Sequence, residues 1–169
     1  MHHGIYNVLF LCTGNSVRSI IAECVLNRLG EGRFAAYSAG SHPKGVVHPY
    51  ALELLELHGW DTTNLRSKSW DEFAGRSAPK MHFVFTVCGD AADEVCPVWP
   101  GHPTTAHWGV PDPATVGGDE RRMRSAFAQT LRQLTKRVHA FVDLPLESLD
   151  PEDLRRRLHE IGEAAECRI

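Results

Sequence analysis

Cys12, Arg18, Cys88, Cys96 and Asp112 are the side chains of this chain whose types and spacing suit covalent chemistry on an anion. Cysteine offers a thiolate nucleophile, arginine a planar fork for two oxygens of one anion, and aspartate a proton donor. Cys12 and Arg18 share the stretch Cys12-Thr13-Gly14-Asn15-Ser16-Val17-Arg18-Ser19, in which a short apolar run breaks into a polar turn. A free thiol has a pKa of about 8.5, and at a helix N-terminus beside a cation it can fall to roughly 3.5–7.5. An abundant Cys12 thiolate is therefore expected.

The elements around this stretch determine whether it can work. Residues 7–11 read as a buried strand, and over residues 20–29 apolar positions recur at helical spacing until Gly30 ends the pattern. Residues 13–17 then form a strand-to-helix loop. Such a loop aims several backbone N–H groups into one concavity, backed by the positive end of the helix, and suits a tetrahedral oxyanion. Gly14 and Asn15 are the types that tolerate left-handed backbone, and the Ser19 hydroxyl is within reach of a Cys12 thiolate. Thr13, Gly14, Asn15, Ser16, Val17, Arg18 and Ser19 are the candidate oxyanion ligands. A structural cysteine before an ordinary helix turn would need nucleophile, turn residues and arginine to coincide by accident.

Further along, residues 34–38 read as a second strand ending in Ala39-Gly40-Ser41, and residues 49–58 as a helix stopped by Gly59. Ser69-x-x-Glu72 has the form of a capping box for a short helix over residues 70–73. Residues 82–87 read as a third strand that delivers Cys88 to its C-terminal end, and residues 104–108 as a fourth. From Asp119 to Val142, apolar positions Met123, Phe127, Leu131, Leu134, Val138 and Phe141 step by three or four, and Asp150-Pro151 opens a last helix to about Ala165. Alternating strands and helices predict one α/β domain over residues 1–169, a three-layer fold with a central parallel sheet of about four strands. Reactive groups in such sheets gather at the C-terminal ends of the strands.

Composition narrows the function classes. With 169 residues, 43% apolar, 23% charged and a net charge of −3, the chain resembles an ordinary globular protein and carries no electrostatic footprint for nucleic acid or an anionic membrane. The apolar run ending at Cys12 is too short for a signal peptide or a membrane span, so a cytoplasmic location is expected. Five cysteines without a secretion signal suit catalysis, redox exchange or burial better than a disulfide framework.

Asp112 stands between Pro111 and Pro113, so its backbone is held extended. A carboxyl presented there above a bound oxyanion can protonate a leaving oxygen, although an ordinary turn aspartate fits the same pattern. Cys88 and Cys96 would lie about 12 Å apart along a continuous helix, whereas a disulfide needs roughly 4.4–6.8 Å. They can bond only where the segment unwinds, which Gly89 and Pro97 make easier. Inert thiols or a metal pair are the alternatives. The chain has no Cys-x2-Cys and no histidine pair at ligand spacing, so no metal is expected. Cys24 reads as helix packing, Cys167 as a tail thiol, His107 as a core histidine beside a packing Trp108, and Arg121, Arg122, Arg124 and residues 155–157 as solvated helix faces.

Cys-x5-Arg-Ser directly after a strand resembles the phosphate-binding loop of the low-molecular-weight protein tyrosine phosphatases and of the arsenate reductases built on that scaffold. Ser38-Ala39-Gly40, the stretch from Cys88-Gly89-Asp90 to Cys96-Pro97, and His107-Trp108-Gly109-Val110-Pro111-Asp112-Pro113 resemble the arsenate reductase pattern. The resemblance implies a low-molecular-weight phosphatase-like fold, Asp112 as general acid, and reduction of arsenate through a relay of Cys12, Cys88 and Cys96. A plain phosphatase has no use for two further cysteines. The electrons would come from an external thiol reductant, thioredoxin or glutathione with glutaredoxin, with no tightly bound cofactor. Arsenate is the implied ligand, with phosphate or sulfate as analogues, and a monomer is expected. The acids Asp90, Asp93 and Glu94 would disfavour a thiolate at Cys96. A phosphatase acting on phosphotyrosine or small esters, and a non-catalytic oxyanion or redox sensor, are the competing readings.

Overall fold

The computed structural model describes residues 4–88 and 99–164. Four strands, β1 (Tyr6–Cys12), β2 (Phe34–Gly40), β3 (Phe83–Thr86) and β4 (Thr104–His107), pair in parallel in the order β2-β1-β3-β4. Four α-helices accompany them: α1 (Arg18–Leu29), α2 (Pro49–Leu57), α3 (Glu120–Val142) and α4 (Pro151–Ala164). Two 3-10 turns, Trp70–Phe73 and Pro113–Thr115, complete the regular elements among the described residues. The α/β architecture with a four-stranded parallel sheet is the expected one, and element boundaries differ from the expectation by one or two residues.

β1 is apolar and buried from Val8 to Cys12 because it lies inside the sheet with both faces covered. Val8 and Phe10 meet α1 and α3 through Ile21, Val25, Phe127, Leu134 and Phe141, with Phe83 and Phe85 of β3 on the same side. Leu9, Leu11 and Val84 point the other way, onto Phe73, Met81 and Trp99. The long helices thus gather on the first face, and among the described residues a 3-10 turn and Trp99 cover the second. No helix among the described residues is long and apolar enough to cross a membrane.

Two local expectations are corrected. Ser69 Oγ accepts the Asp71 N–H, but Glu72 pairs with Arg66 at 2.6 Å instead of returning to Ser69, so the capping box is half made and the turn is 3-10. His107 is exposed and bonds Thr86 Oγ1 through Nδ1 at 2.7 Å, while Trp108 beside it is fully buried. Residues of a strand alternate faces, and the inward position belongs to the tryptophan.

Register places the reactive positions together. Cys12 pairs with Gly40 and Leu11 with Thr86, so the loop after β1 and the Cys88 segment leave the same edge of the sheet side by side.

Candidate active site

After Cys12 the chain curls through residues 13–17. Asn15 takes a φ of 45°, in the left-handed region that asparagine tolerates, and its N–H turns back to donate to Cys12 Sγ at 3.2 Å. Ser19 Oγ lies 2.9 Å from the same sulfur, the contact expected of it. The carbonyls of Thr13, Gly14 and Ser16 face away from the concavity and accept the N–H groups of His42, Lys44 and His48. Val17, at the start of α1, makes no side-chain cap, whereas His48, Asp119 and Asp150 cap the other three helices. Among the described residues no side chain at the N-cap takes up the amides of this helix end, which suits an outside acceptor. A cavity of about 230 Å³ opens over them, lined by residues 12–18 with His42, Lys44, Asp112 and Ala114.

The loop is braced from below by the Asn15 side chain. Its Nδ2 donates to Ser19 Oγ at 2.8 Å and Ser38 Oγ at 3.0 Å, and its Oδ1 accepts the Lys68 N–H at 2.8 Å. Ser38 Oγ donates to Glu23 Oε1, and Lys68 Nζ lies 3.8 Å from the same oxygen. Burial pushes the Glu23 carboxyl up against the pull of Ser38 and Lys68, and burial pushes Lys68 down against the pull of Glu23. Gly40 passes so close beneath the loop that a Cβ would stand 2.5 Å from the Thr13 carbonyl oxygen. Ser38-Ala39-Gly40 thus supplies one hydroxyl and one missing side chain to the loop.

A second sulfur lies against the start of the loop. Cys88, 2% exposed just beyond β3, accepts the Thr13 N–H on its Sγ at 3.2 Å and has Thr13 Oγ1 3.7 Å away. Cys12 and Cys88 are both in the thiol form, with no disulfide between them. The Cys88 thiol and then burial push the Cys12 thiol well above its ordinary range, against the Ser19 hydroxyl. The expected depression of the Cys12 thiol is corrected on this point: two sulfurs sharing one enclosure resist ionising together.

Arg18 and Asp112 close the rim. Arg18 Nη1 donates to the Val110 carbonyl at 3.2 Å, and its Nη2 lies 3.6 Å from Asp112 Oδ2. Asp112 Oδ1 accepts the Ala114 N–H at 3.0 Å, so the carboxylate is fixed at one end by its own turn and faces the cation with the other.

A sequence profile described as low molecular weight phosphotyrosine protein phosphatase matches residues 7–156. The chain belongs to the low molecular weight phosphotyrosine protein phosphatase family. Within this phosphatase family it is similar to an arsenate reductase of Oceanobacillus iheyensis, 36% identical over 134 residues that cover 79% of this chain and 93% of that one. A solved arsenate reductase in its phosphate-binding state shares 27% identity and a TM-score of 0.64, over 82% of this chain and 97% of its own. A thioredoxin-dependent arsenate reductase of Corynebacterium glutamicum gives 26% identity and a TM-score of 0.52, over 82% and 64%.

On this phosphatase scaffold the structure brings together Cys12, the loop residues from Thr13 to Ser19, Arg18, Asp112 and Cys88. Cys96, the acids Asp90, Asp93 and Glu94, and Cys167 lie outside the described residues. Cys24 is buried away from the site, and burial pushes its thiol up to about 11. Sequence reasoning missed Glu23, Lys68, His42 and Lys44. A glutamate among the apolar positions of α1 was the available signal for the buried pair; the two rim residues left none beyond their nearness to a turn.

Proposed function

We propose that this chain reduces arsenate to arsenite, with three cysteines carrying the two electrons. Arsenate sits on the backbone N–H groups of the loop and the Arg18 guanidinium, which hold its oxygens as charge develops. The Cys12 thiolate attacks arsenic and forms an S–As bond, while Asp112 gives a proton to the departing oxygen, which leaves as water. The Cys88 thiolate then attacks Cys12 Sγ. An S–S bond forms, the S–As electron pair stays on arsenic, As(V) becomes As(III), and arsenite departs. Cys96 next attacks Cys88 Sγ, which frees the Cys12 thiolate and leaves a Cys88–Cys96 disulfide. An external dithiol reduces that disulfide by the same exchange.

The observation that carries this reading is Cys88 Sγ on the Thr13 N–H, inside the loop that holds Cys12. Ester hydrolysis has no use for a second thiol there. The rim favours the same substrate class: among the described residues it is lined by Lys44 and His42 and by no Phe, Tyr or Trp that would grip a phenyl ester, so a small inorganic oxyanion suits it. Thioredoxin is the donor we assign, following the Corynebacterium glutamicum relative, with glutathione and glutaredoxin as the alternative source of the same thiols. The cycle needs no tightly bound cofactor or metal and can run in a cytoplasmic monomer.

A phosphatase acting on phosphotyrosine or small esters is the second reading, favoured by Arg18 beside Asp112 over a Cys12 loop that accommodates any tetrahedral oxyanion. The deciding experiment is arsenate-dependent NADPH oxidation with thioredoxin and its reductase, run in parallel with glutathione, glutaredoxin and glutathione reductase. One system is expected to sustain turnover, and Cys88→Ser is expected to abolish it. Hydrolysis of p-nitrophenyl phosphate with no NADPH consumption in either system would replace reduction by the phosphatase reading. Neither activity would leave a sensor.

A further inference from the structure

α3 buries Phe127, Leu131, Leu134, Val138 and Phe141, and among them stands Arg137, 2% exposed. A guanidinium at such a position is costly unless its donors find acceptors. Arg137 Nη1 donates to two consecutive backbone carbonyls, that of Trp108 and, at 2.9 Å, that of Gly109. These carbonyls lie where β4 gives way to the loop that carries Asp112.

The bonding of that loop is divided by direction. Its N–H groups return to the strand end that delivers Cys88: Trp108 N–H donates to the Thr86 carbonyl at 2.7 Å and Val110 N–H to the Val87 carbonyl at 3.0 Å. Its carbonyls go to two guanidinium groups, Trp108 and Gly109 to Arg137 and Val110 to Arg18. Pro111 and Pro113 then supply no N–H at all. Residues 108–110 are therefore held from both sides, by these N–H bonds and by the carbonyl contacts, and from Val110 to Pro111 the backbone bond in hand is the carbonyl contact to Arg18.

We infer that Arg137 is a positioning residue, whose hold on the Trp108 and Gly109 carbonyls sets Val110 and Asp112 at the distances from Arg18 found over the Cys12 loop. It touches no substrate. Its rate assay rests on the arsenate reductase reading above. A misplacement of about 1 Å at reacting groups costs on the order of a hundredfold in rate, so a loosened loop is visible in kcat.

The test compares Arg137→Met and Arg137→Lys in the full chain, at a temperature where melting curves show each variant folded. Arg137→Met is expected to lower kcat for arsenate roughly tenfold to a hundredfold. Protection of Cys12 from iodoacetamide by sulfate is expected to change by less than about threefold, because those amides belong to the first loop. Arg137→Lys, with one flexible donor group, is expected to recover part of kcat. Wild-type kcat in either folded variant overturns the assignment, and so does a loss of sulfate protection that keeps pace with kcat, the mark of a general structural prop. Where Arg137→Met fails to fold, Arg137→Lys alone decides: reduced kcat with sulfate protection intact supports the assignment, and wild-type kcat overturns it. A wild-type chain without arsenate turnover overturns the proposed function instead, and the same comparison is then read on p-nitrophenyl phosphate, whose hydrolysis uses the same loop.

Discussion

The Thr13 N–H donates to Cys88 Sγ at 3.2 Å across 75 positions of chain. A donor of the Cys12 loop thus also serves the second thiol, and parallel pairing of β1 with β3 sets this contact. The Cys12 loop and the second thiol are therefore in direct contact.

Removing the second thiol should release the first. The Cys88 thiol is the largest influence raising Cys12, ahead of burial, so Cys88→Ala is expected to lower the Cys12 pKa and increase its thiolate fraction at neutral pH. The midpoint of the iodoacetamide rate against pH should move to lower pH. A midpoint that stays or rises would contradict the coupling.

Gly40 tests the floor of the loop. In Gly40→Ala the new methyl would stand 2.5 Å from the Thr13 carbonyl oxygen and 2.9 Å from that of Cys12, both backbone atoms that cannot swing aside. Overpacking of this kind costs about 1–3 kcal/mol, read as a lower urea midpoint. Sulfate should also protect Cys12 less well, because the loop must shift to make room. Unchanged stability together with unchanged protection would show that the loop has slack.

Elements whose signal is local were legible. The α3 stripe from Met123 to Phe141 repeats at helical spacing, and Cys12, Arg18 and Asp112 each sit in a stretch whose backbone is dictated by its own neighbours. What escaped depends on partners brought from elsewhere by the sheet. Thr13 with Cys88, Arg137 with Trp108 and Lys68 with Ser38 are pairs separated by 75, 29 and 30 positions, and no periodicity encodes them. The Cys12 thiol was misjudged for the same reason: the helix end and Arg18 are local, while the sulfur that opposes them arrives on β3. At Ser69 a local rule was overridden, because Arg66 offers Glu72 a charge where the cap offers a single neutral N–H.

The buried pair beneath the loop should behave as a unit. Glu23 and Lys68 have side chains only 12% and 7% exposed, so Glu23→Gln or Lys68→Met leaves a charge without its counterpart and is expected to cost about 3–5 kcal/mol. The double variant Glu23→Gln/Lys68→Met should lose clearly less than the sum of the singles, because neither charge is then stranded. Urea unfolding of the four proteins in the cycle measures this. Strict additivity would mean that the two charges act independently.

His48 makes the start of α2 sensitive to pH. Its Nδ1 accepts the Tyr50 N–H at 3.1 Å, a cap that requires this nitrogen to be unprotonated. Burial, with help from Lys44 and against Asp112, holds the imidazole below its ordinary 6.5. The unfolded chain therefore takes up a proton before the folded one does as pH falls. Stability from this group is complete above the unfolded value and declines as pH drops through 6.5 toward the folded value. His48→Asn keeps a capping oxygen and removes the titration. Between about pH 7.5 and about pH 5.5 the wild-type urea midpoint should fall by more than that of the variant. Parallel declines in the two proteins would remove His48 as the source of acid sensitivity in α2.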